Sequence, residues 1–244
     1  MLQPGCGIQQ IKSLEGGAVE LTVQSSAVSA DEPSVETFDG VVATVPSGVI
    51  PRMIPGLTQD EAKRHRQIAY QGIVCASLLL KKPLAEYYVT NITDGNAPFT
   101  GVIEMTTLVD RKEFDGHSLV YLPYYVPQDD PIFEQTDEAI REQSLVGLES
   151  MYPDFNRNDL VEFRVSRVKR VMAISTLNYS ESLPPMKTTV PNVFVVNSAQ
   201  IVNGTLNVNE TIKLAESAVD EMLLTASGQL DKSQPEKQHA EAVC

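Results

Sequence analysis

Pro191 to Ala215 reads PNVFVVNSAQIVNGTLNVNETIKLA. Val193, Phe194, Val195 and Val196 stand in a row between Pro191-Asn192 and a polar stretch, which marks a short buried strand. A loop holding Asn203-Gly204 follows, and an amphipathic helix opens near Asn207. Strand, loop and helix N-terminus in that order can present backbone N–H groups to an anion or to the polar edge of a cofactor. Beyond Asn207, the residues Val208, Ile212, Ala215, Val219 and Met222 recur at helical spacing, which predicts one apolar face.

Working outward, 244 residues allow one large or two small domains, and 42% hydrophobic content supports a real core. The net charge of −13 argues against a nucleic-acid partner, since phosphate neutralisation needs clustered Lys and Arg. Cys6, Cys75 and Cys244 are too scattered for a disulfide framework or a zinc site, so free thiols in a reducing compartment are expected. The opening MLQPGCG has neither the charge nor the apolar core of a signal peptide, and no apolar run is long enough to span a membrane. Four Asn-x-Ser/Thr sequons, at Asn91, Asn178, Asn203 and Asn209, carry no meaning without secretion. A soluble, cytoplasmic protein is the expectation.

Residues 8–12 and 18–23 predict two short strands around Glu15-Gly16-Gly17, followed by a polar, irregular stretch over 25–36. Phe38 to Pro46 reads as a further buried strand stopped by proline, and Pro51 and Pro55 mark a loop. Thr58 with Glu61 three residues on is a capping box, opening a short helix over 58–70 with a basic outer face. Runs at 72–80, 84–90, 101–109 and 118–126, separated by Asp94-Gly95-Asn96 and Asp115-Gly116, predict an antiparallel sheet. A helix begins at Asp129-Asp130-Pro131, carries Ile140, Leu145 and Leu148, and ends before Pro153. Residues 159–174 form a long strand whose alternation changes phase near Ser166-Arg167, predicting a bulge there. Residues 228–244 read as a disordered tail.

Chemistry-bearing residues are sparse. His65, His117 and His239 lie far apart in sequence, and none has a Cys or another His at metal-ligand spacing, so no metal site is expected. No Gly-x-Ser-x-Gly elbow occurs, and Cys75 lies inside an apolar run as a core thiol would. Tyr121, Tyr124 and Tyr125 cluster on one strand, either as a half-buried sheet face or as pocket lining. Arg164, Arg167, Lys169 and Arg170 form a basic stretch, read as a solvated face paired with acids, the alternative being an anionic ligand.

These segments, in their order, resemble the FAD-dependent amine oxidases and their protoporphyrinogen oxidase and phytoene desaturase relatives. Phe38 to Pro46 (FDGVVATVP) resembles that family's D-x-V-V-x-A-x-P strand, and Ile8-Gln9-Gln10-Ile11 its V-x-x-I strand beside the FAD adenine. Val165 to Tyr179 is similar to the strand and turn preceding the C-terminal flavin motif, and Pro191 to Ala215 to that motif itself. The resemblance covers residues 7 to 225.

It implies an α/β (α+β) fold: an antiparallel-sheet substrate domain with helices over 47–158, flanked at 1–46 and 159–227 by returning strands and the last helix of an incomplete, Rossmann-like FAD-binding domain. It further implies FAD as cofactor, with Ile8, Asn197, Ser198, Leu206, Asn207 and Val208 as its contacts here. Tyr121, Tyr124 and Tyr125 then become a wall for a small-molecule substrate. The implied reaction is two-electron oxidation of a C–N or C–C bond through the flavin. No residue stands out as a catalytic acid or base.

The sequence departs from the family at three places. It contains no Gly-x-Gly-x-x-Gly after a strand, the motif that holds the FAD pyrophosphate, so a missing N-terminal Rossmann half or a partner chain is expected to supply it. Asn197-Ser198 stands for the family's Gly-Asp, and Glu210 for a glycine at the helix start, placing negative charge where the helix end favours an anion. The alternatives are a non-catalytic or partner-dependent module of the same fold, or a non-oxidative flavin enzyme such as a sugar mutase relative.

Overall fold

Mixed helix and antiparallel sheet make up the computed structural model, which describes residues 2–25 and 33–226. The expected tail at 228–244 lies outside those residues. The chain forms two compact units: Ala69–Ile174 is one, and the described residues before Ala69 and from Ser175 onward form the other. These bounds differ from the expected breaks at 46/47 and 158/159. Residues 47–68 carry helices packed on the first unit's core, and residues 160–173 are a full strand of the second unit's sheet.

The first unit opens with β1 (Cys6–Ser13) and β2 (Val19–Ser25), antiparallel with a bulge between Ile8 and Gln10. β3 (Ser34–Phe38) pairs antiparallel with β2, reaching into a segment the sequence suggests is irregular. Phe38 to Pro46 is not one strand. The chain turns at Asp39-Gly40, and β4 (Val41–Ala43) joins another sheet, parallel to a strand some 150 residues later. Gly40 permits the turn: a Cβ there would sit 3.3 Å from the Asn192 carbonyl oxygen. The proline-marked loop holds a short helix, α1 (Ile50–Met53), and α2 (Gln59–Gln67) follows, capped by Thr58 accepting the Glu61 N–H at 3.3 Å.

In the second unit, β5 (Tyr70–Leu80), β6 (Val89–Asn91), β7 (Gly101–Glu104) and β8 (Ser118–Pro127) precede α3 (Asp137–Met151) and β9 (Leu160–Ala173). They form one antiparallel sheet in the order β6-β7-β8-β5-β9. β6 and β7 are shorter than the apolar runs suggest, because Met105–Thr107 closes into a 3-10 turn and only Val89–Asn91 reaches the sheet. The helix expected from Pro131 is broken: a 3-10 turn spans Pro131–Glu134, and Thr136 caps α3 afresh. The β9 bulge falls between Val168 and Met172 on pairing with β5, a few residues after the expected phase change.

α3 covers one face of this sheet. Val74, Leu78 and Leu80 of β5, Val120 and Leu122 of β8, and Ile140, Leu145 and Leu148 of α3 form its buried core. Each such side chain contributes about 1.5–3 kcal/mol relative to exposure. Gly147 lets the helix approach closely, since a Cβ there would meet the Phe99 ring at 2.7 Å.

The chain then returns to the first unit with α4 (Tyr179–Ser182), β10 (Val193–Val195) and α5 (Val208–Ala226). β10 pairs in parallel with β4, and Val193, Val195 and Ala43 join Ile11, Val19, Ile50 and Ile54 in the core. The α5 stripe does not face that core. Val208, Ile212, Ala215 and Val219 are exposed, Met222 is half-buried, and Ala218 is buried.

Candidate functional site

The strand, loop and helix at 193–226 were expected to carry the cofactor contacts, and their geometry starts at the end of β10. Asn197 is buried, and its side chain closes a capping box: Oδ1 accepts from the Ala199 N–H at 3.0 Å, while the Gln200 side chain accepts from the Asn197 N–H at 2.7 Å. Its Nδ2 donates to the Val45 carbonyl at 2.9 Å, tying the end of β10 to the residues after β4. Gln200 Nε2 donates to Val195 O at 3.0 Å, and the Tyr179 hydroxyl donates to Ala199 O at 2.8 Å. The polar atoms of Asn197 are thus engaged within the chain, and the residue acts as a clamp on the turn rather than as an open donor. Ser198, beside it, is half-buried.

Ahead of α5 the chain passes through Gly204 at φ +123°. The Asn207 side chain accepts from the Glu210 N–H at 3.0 Å and donates to Thr205 O at 2.9 Å, so it caps the helix. Among the described residues no side chain takes the N–H of Val208 or Asn209, the two first-turn donors left open. A shallow concavity of about 600 Å³ lies there, lined by Asn207, Val208, Asn209, Glu210, Ile212 and Lys213. Glu210 folds back over Gly204 and pairs with Lys213 at 2.9 Å, which offsets the charge it brings to the helix end. Leu206 and Val208 are exposed beside it, and Ile8 is half-buried on β1 against the core that holds Val193 and Val195.

The residues that fix this segment from behind escape a sequence reading. Glu61, 5% exposed, accepts from the Thr189 N–H at 2.9 Å, from the Thr189 hydroxyl and from the Thr58 hydroxyl at 3.1 Å, so the capping-box glutamate holds the approach to β10. The spacing of Thr58 and Glu61 signals the cap, but nothing in it signals Thr189. His65, one turn on, is fully buried with neither ring nitrogen hydrogen-bonded, and burial lowers its pKa to about 4 against a partial offset from Glu61.

In the second unit the three tyrosines part company. Tyr124 points into the core, 3% exposed, with its hydroxyl 2.6 Å from Ser144 Oγ and its ring edge-on to Phe99. Burial raises its pKa. Tyr124 is therefore not a pocket wall, because strand alternation turns it opposite to its neighbours. Tyr121 and Tyr125 lie on the face away from α3, where register sets Tyr125 opposite Ile73, Pro123 opposite Cys75 and Tyr121 opposite Ser77. Cys75 sits on this second face, half-buried rather than in the core, and burial raises its thiol pKa.

Three basic residues of β9 are paired: Arg164 with Glu162 at 2.6 Å, Arg167 with Asp137 at 2.7 Å, and Lys169 with Glu134 at 3.2 Å while lying over the Phe133 ring. Among the described residues no three His, Cys, Asp or Glu side chains gather as metal ligands, and no helix is long and apolar enough to cross a membrane.

Comparison with known proteins places this geometry. No curated protein matches the chain. Among solved structures, the "Putative protoporphyrinogen oxidase" of Exiguobacterium sp. 255-15 superposes with a TM-score of 0.68 at 12% identity, covering 90% of this chain and 47% of that one. An oxidoreductase from Methanosarcina mazei gives 0.65 at 18% identity, covering 89% of this chain and 49% of that one. At these identities the likeness is one of fold, and the chain spans about half the length of either structure. The model of the flavin containing amine oxidoreductase family matches residues 5–223, nearly the whole of the chain, and the chain belongs to that family.

Proposed function

We propose that this chain is the substrate-domain and flavin-returning part of an FAD-dependent oxidoreductase that oxidises a C–N or C–C bond of a small organic molecule. The observation that carries the reading is the clamped turn after β10 leading to the open first turn of α5, within a chain matched by the family over residues 5–223. The residues present fit one end of a flavin: the N–H groups of Val208 and Asn209 are open donors, and the apolar side chains of Leu206 and Val208 stand exposed beside them. They do not make a pyrophosphate cradle, since no Gly-x-Gly-x-x-Gly occurs in the sequence. That part of the site is assigned to a Rossmann half or partner chain.

When bound, the flavin supplies the two-electron oxidation. This chain's residues position and shield. Asn197, Gln200 and Tyr179 hold the turn, Asn207 orients the first helical turn, and the pairing of Glu210 with Lys213 limits repulsion of negative charge near it. Tyr121 and Tyr125 with Ile73 and Pro123 offer an apolar, aromatic sheet face suited to one side of a small organic substrate. A cytoplasmic setting belongs to the same reading, supported by the free thiols of Cys6 and Cys75.

A partner-dependent module without its own chemistry is the second reading, favoured by the missing dinucleotide motif. The two separate on flavin content. The chain purified with its complementing half is expected to release FAD on acid treatment in a one-to-one ratio, and Val208→Asp is expected to lower that ratio by placing a carboxylate at the helix front. A complete assembly that holds no flavin overturns the first reading.

A further inference from the structure

We propose that Asn203 is a self-modification site: the Gly204 backbone nitrogen closes on its side-chain amide, and the chain converts there to aspartate and isoaspartate beside the first turn of α5. The consequence for cofactor binding rests on the flavoenzyme reading above; the modification itself does not. Asn203-Gly204 is the one Asn-Gly pair in the sequence. Glycine in second place matters because ring closure brings the following nitrogen onto the asparagine side chain, and a Cβ on that residue crowds the approach. Gly204 stands at φ +123° in an exposed bend between β10 and α5, and Asn203 is exposed with it. Among the described residues neither the Asn203 amide nor the Gly204 N–H has a hydrogen-bond partner.

Comparable positions lack one of these conditions. Asn192 Nδ2 donates to Gly17 O at 2.6 Å, Asn197 Nδ2 to Val45 O at 2.9 Å and Asn207 Nδ2 to Thr205 O at 2.9 Å. Each is followed by a residue with a side chain: Val193, Ser198 and Val208. Asp115-Gly116 has the glycine, but its Gly116 N–H donates to Arg111 O at 2.9 Å. Asn203 combines a free amide with a free, uncrowded nitrogen.

The step balances with water as its only co-reactant. The Gly204 nitrogen bonds to Asn203 Cγ, the Cγ–Nδ2 bond breaks, and Nδ2 leaves as ammonia with the proton that the Gly204 nitrogen gives up. Water then opens the succinimide ring. Attack at Cγ yields aspartate, and attack at the main-chain carbonyl carbon yields isoaspartate, whose main chain runs through Cβ and Cγ. Either product puts a carboxylate where a neutral amide stood. One carboxylate is already close, since a Cβ on Gly204 would sit 3.2 Å from Glu210 Cγ. Lys213 offsets that charge at 2.9 Å. A second carboxylate beside the same turn competes with an anionic cofactor edge for the positive end of α5.

The test is a peptide map of the purified full chain held warm at mildly alkaline pH, with ammonia release followed in parallel. Asn203 is expected to convert at least about tenfold faster than Asn192 or Asn207 in the same sample, with isoaspartate among the products. Asn203→Gln is expected to abolish the early ammonia. Equal rates at the three asparagines, or early ammonia that persists in Asn203→Gln, overturns the proposal. Fresh chain, converted chain and Asn203→Asp are then each joined to the complementing half and titrated with FAD. Both modified forms are expected to bind it about two- to fivefold more weakly than the fresh chain. Equal affinity overturns the link to the cofactor. A fresh assembly that binds no flavin sinks the functional reading, and the peptide map still decides the modification.

Discussion

α3 and α5 are written in the same sequence grammar and meet opposite fates. Both carry apolar residues at helical spacing, but Ile140, Leu145 and Leu148 of α3 are buried against a five-stranded sheet. Ile212, Val219 and Leu223 of α5 stand open. The difference lies in what each unit provides. The second unit offers a broad sheet face with Val74, Leu78, Val120 and Leu122 for its helix to cover, whereas the first unit's strands are short and divided between two small sheets. Helical periodicity shows that a face wants a partner; it does not say that the partner lies in the same unit.

Four measurements break or sharpen this contrast. Leu148→Ala is expected to destabilise the second unit by about 3 kcal/mol through lost burial and a residual cavity, read by urea denaturation. A loss under about 1 kcal/mol would mean that α3 is held no better than α5.

His65 sets the next effect, in the first unit. Its folded pKa of about 4 lies below the ordinary 6.5, so the unfolded chain takes up a proton first as pH falls. The associated stability is fully present above pH 6.5 and is lost progressively down to about pH 4, worth roughly 3 kcal/mol. His65→Phe is expected to remove that slope. Burial raises the pKa of Glu104 in the second unit, so its contribution runs the other way, falling as pH rises. Thermal melts of wild type and His65→Phe between pH 4 and 7 separate the two.

Glu61→Ala leaves the Thr189 N–H and the two threonine hydroxyls without their acceptor and is expected to cost about 2 kcal/mol. Faster hydrogen exchange at 186–196 checks that the loss is local to the approach to β10. The smallest effect is the sharpest for the comparison. Ile212→Ala in the isolated chain is expected to change stability by less than about 0.5 kcal/mol, because an exposed side chain has little burial to lose. A loss like that of Leu148→Ala would show that the stripe is already covered.

What was legible in the sequence follows from period and punctuation. The antiparallel strands on either side of Asp115-Gly116, the Thr58 cap and the strand–loop–helix at 193–226 were all readable, since each shows in local periodicity and turn chemistry. The break at Gly40 was not, because it depends on the Asn192 carbonyl, which is remote in sequence. Tyr124 was misread as lining because a cluster of tyrosines hides the alternation that turns it inward, where it meets Ser144. The bonds of the Asn197 side chain to Val45 and Ala199, which clamp the turn after β10, were not legible, because Val45 is remote in sequence.

By itself, the sequence determined the order of elements and the amphipathic character of α5, since local propensity and spacing carry that information. Only the tertiary structure decided which side chains are free to act. It set Tyr121 and Tyr125 apart from Tyr124, engaged Glu61 with Thr189, paired Glu210 with Lys213 and left the stripe of α5 uncovered. Those outcomes depend on contacts between residues far apart in the chain, and a hydrogen bond or a buried face has no signature in one of its two partners alone.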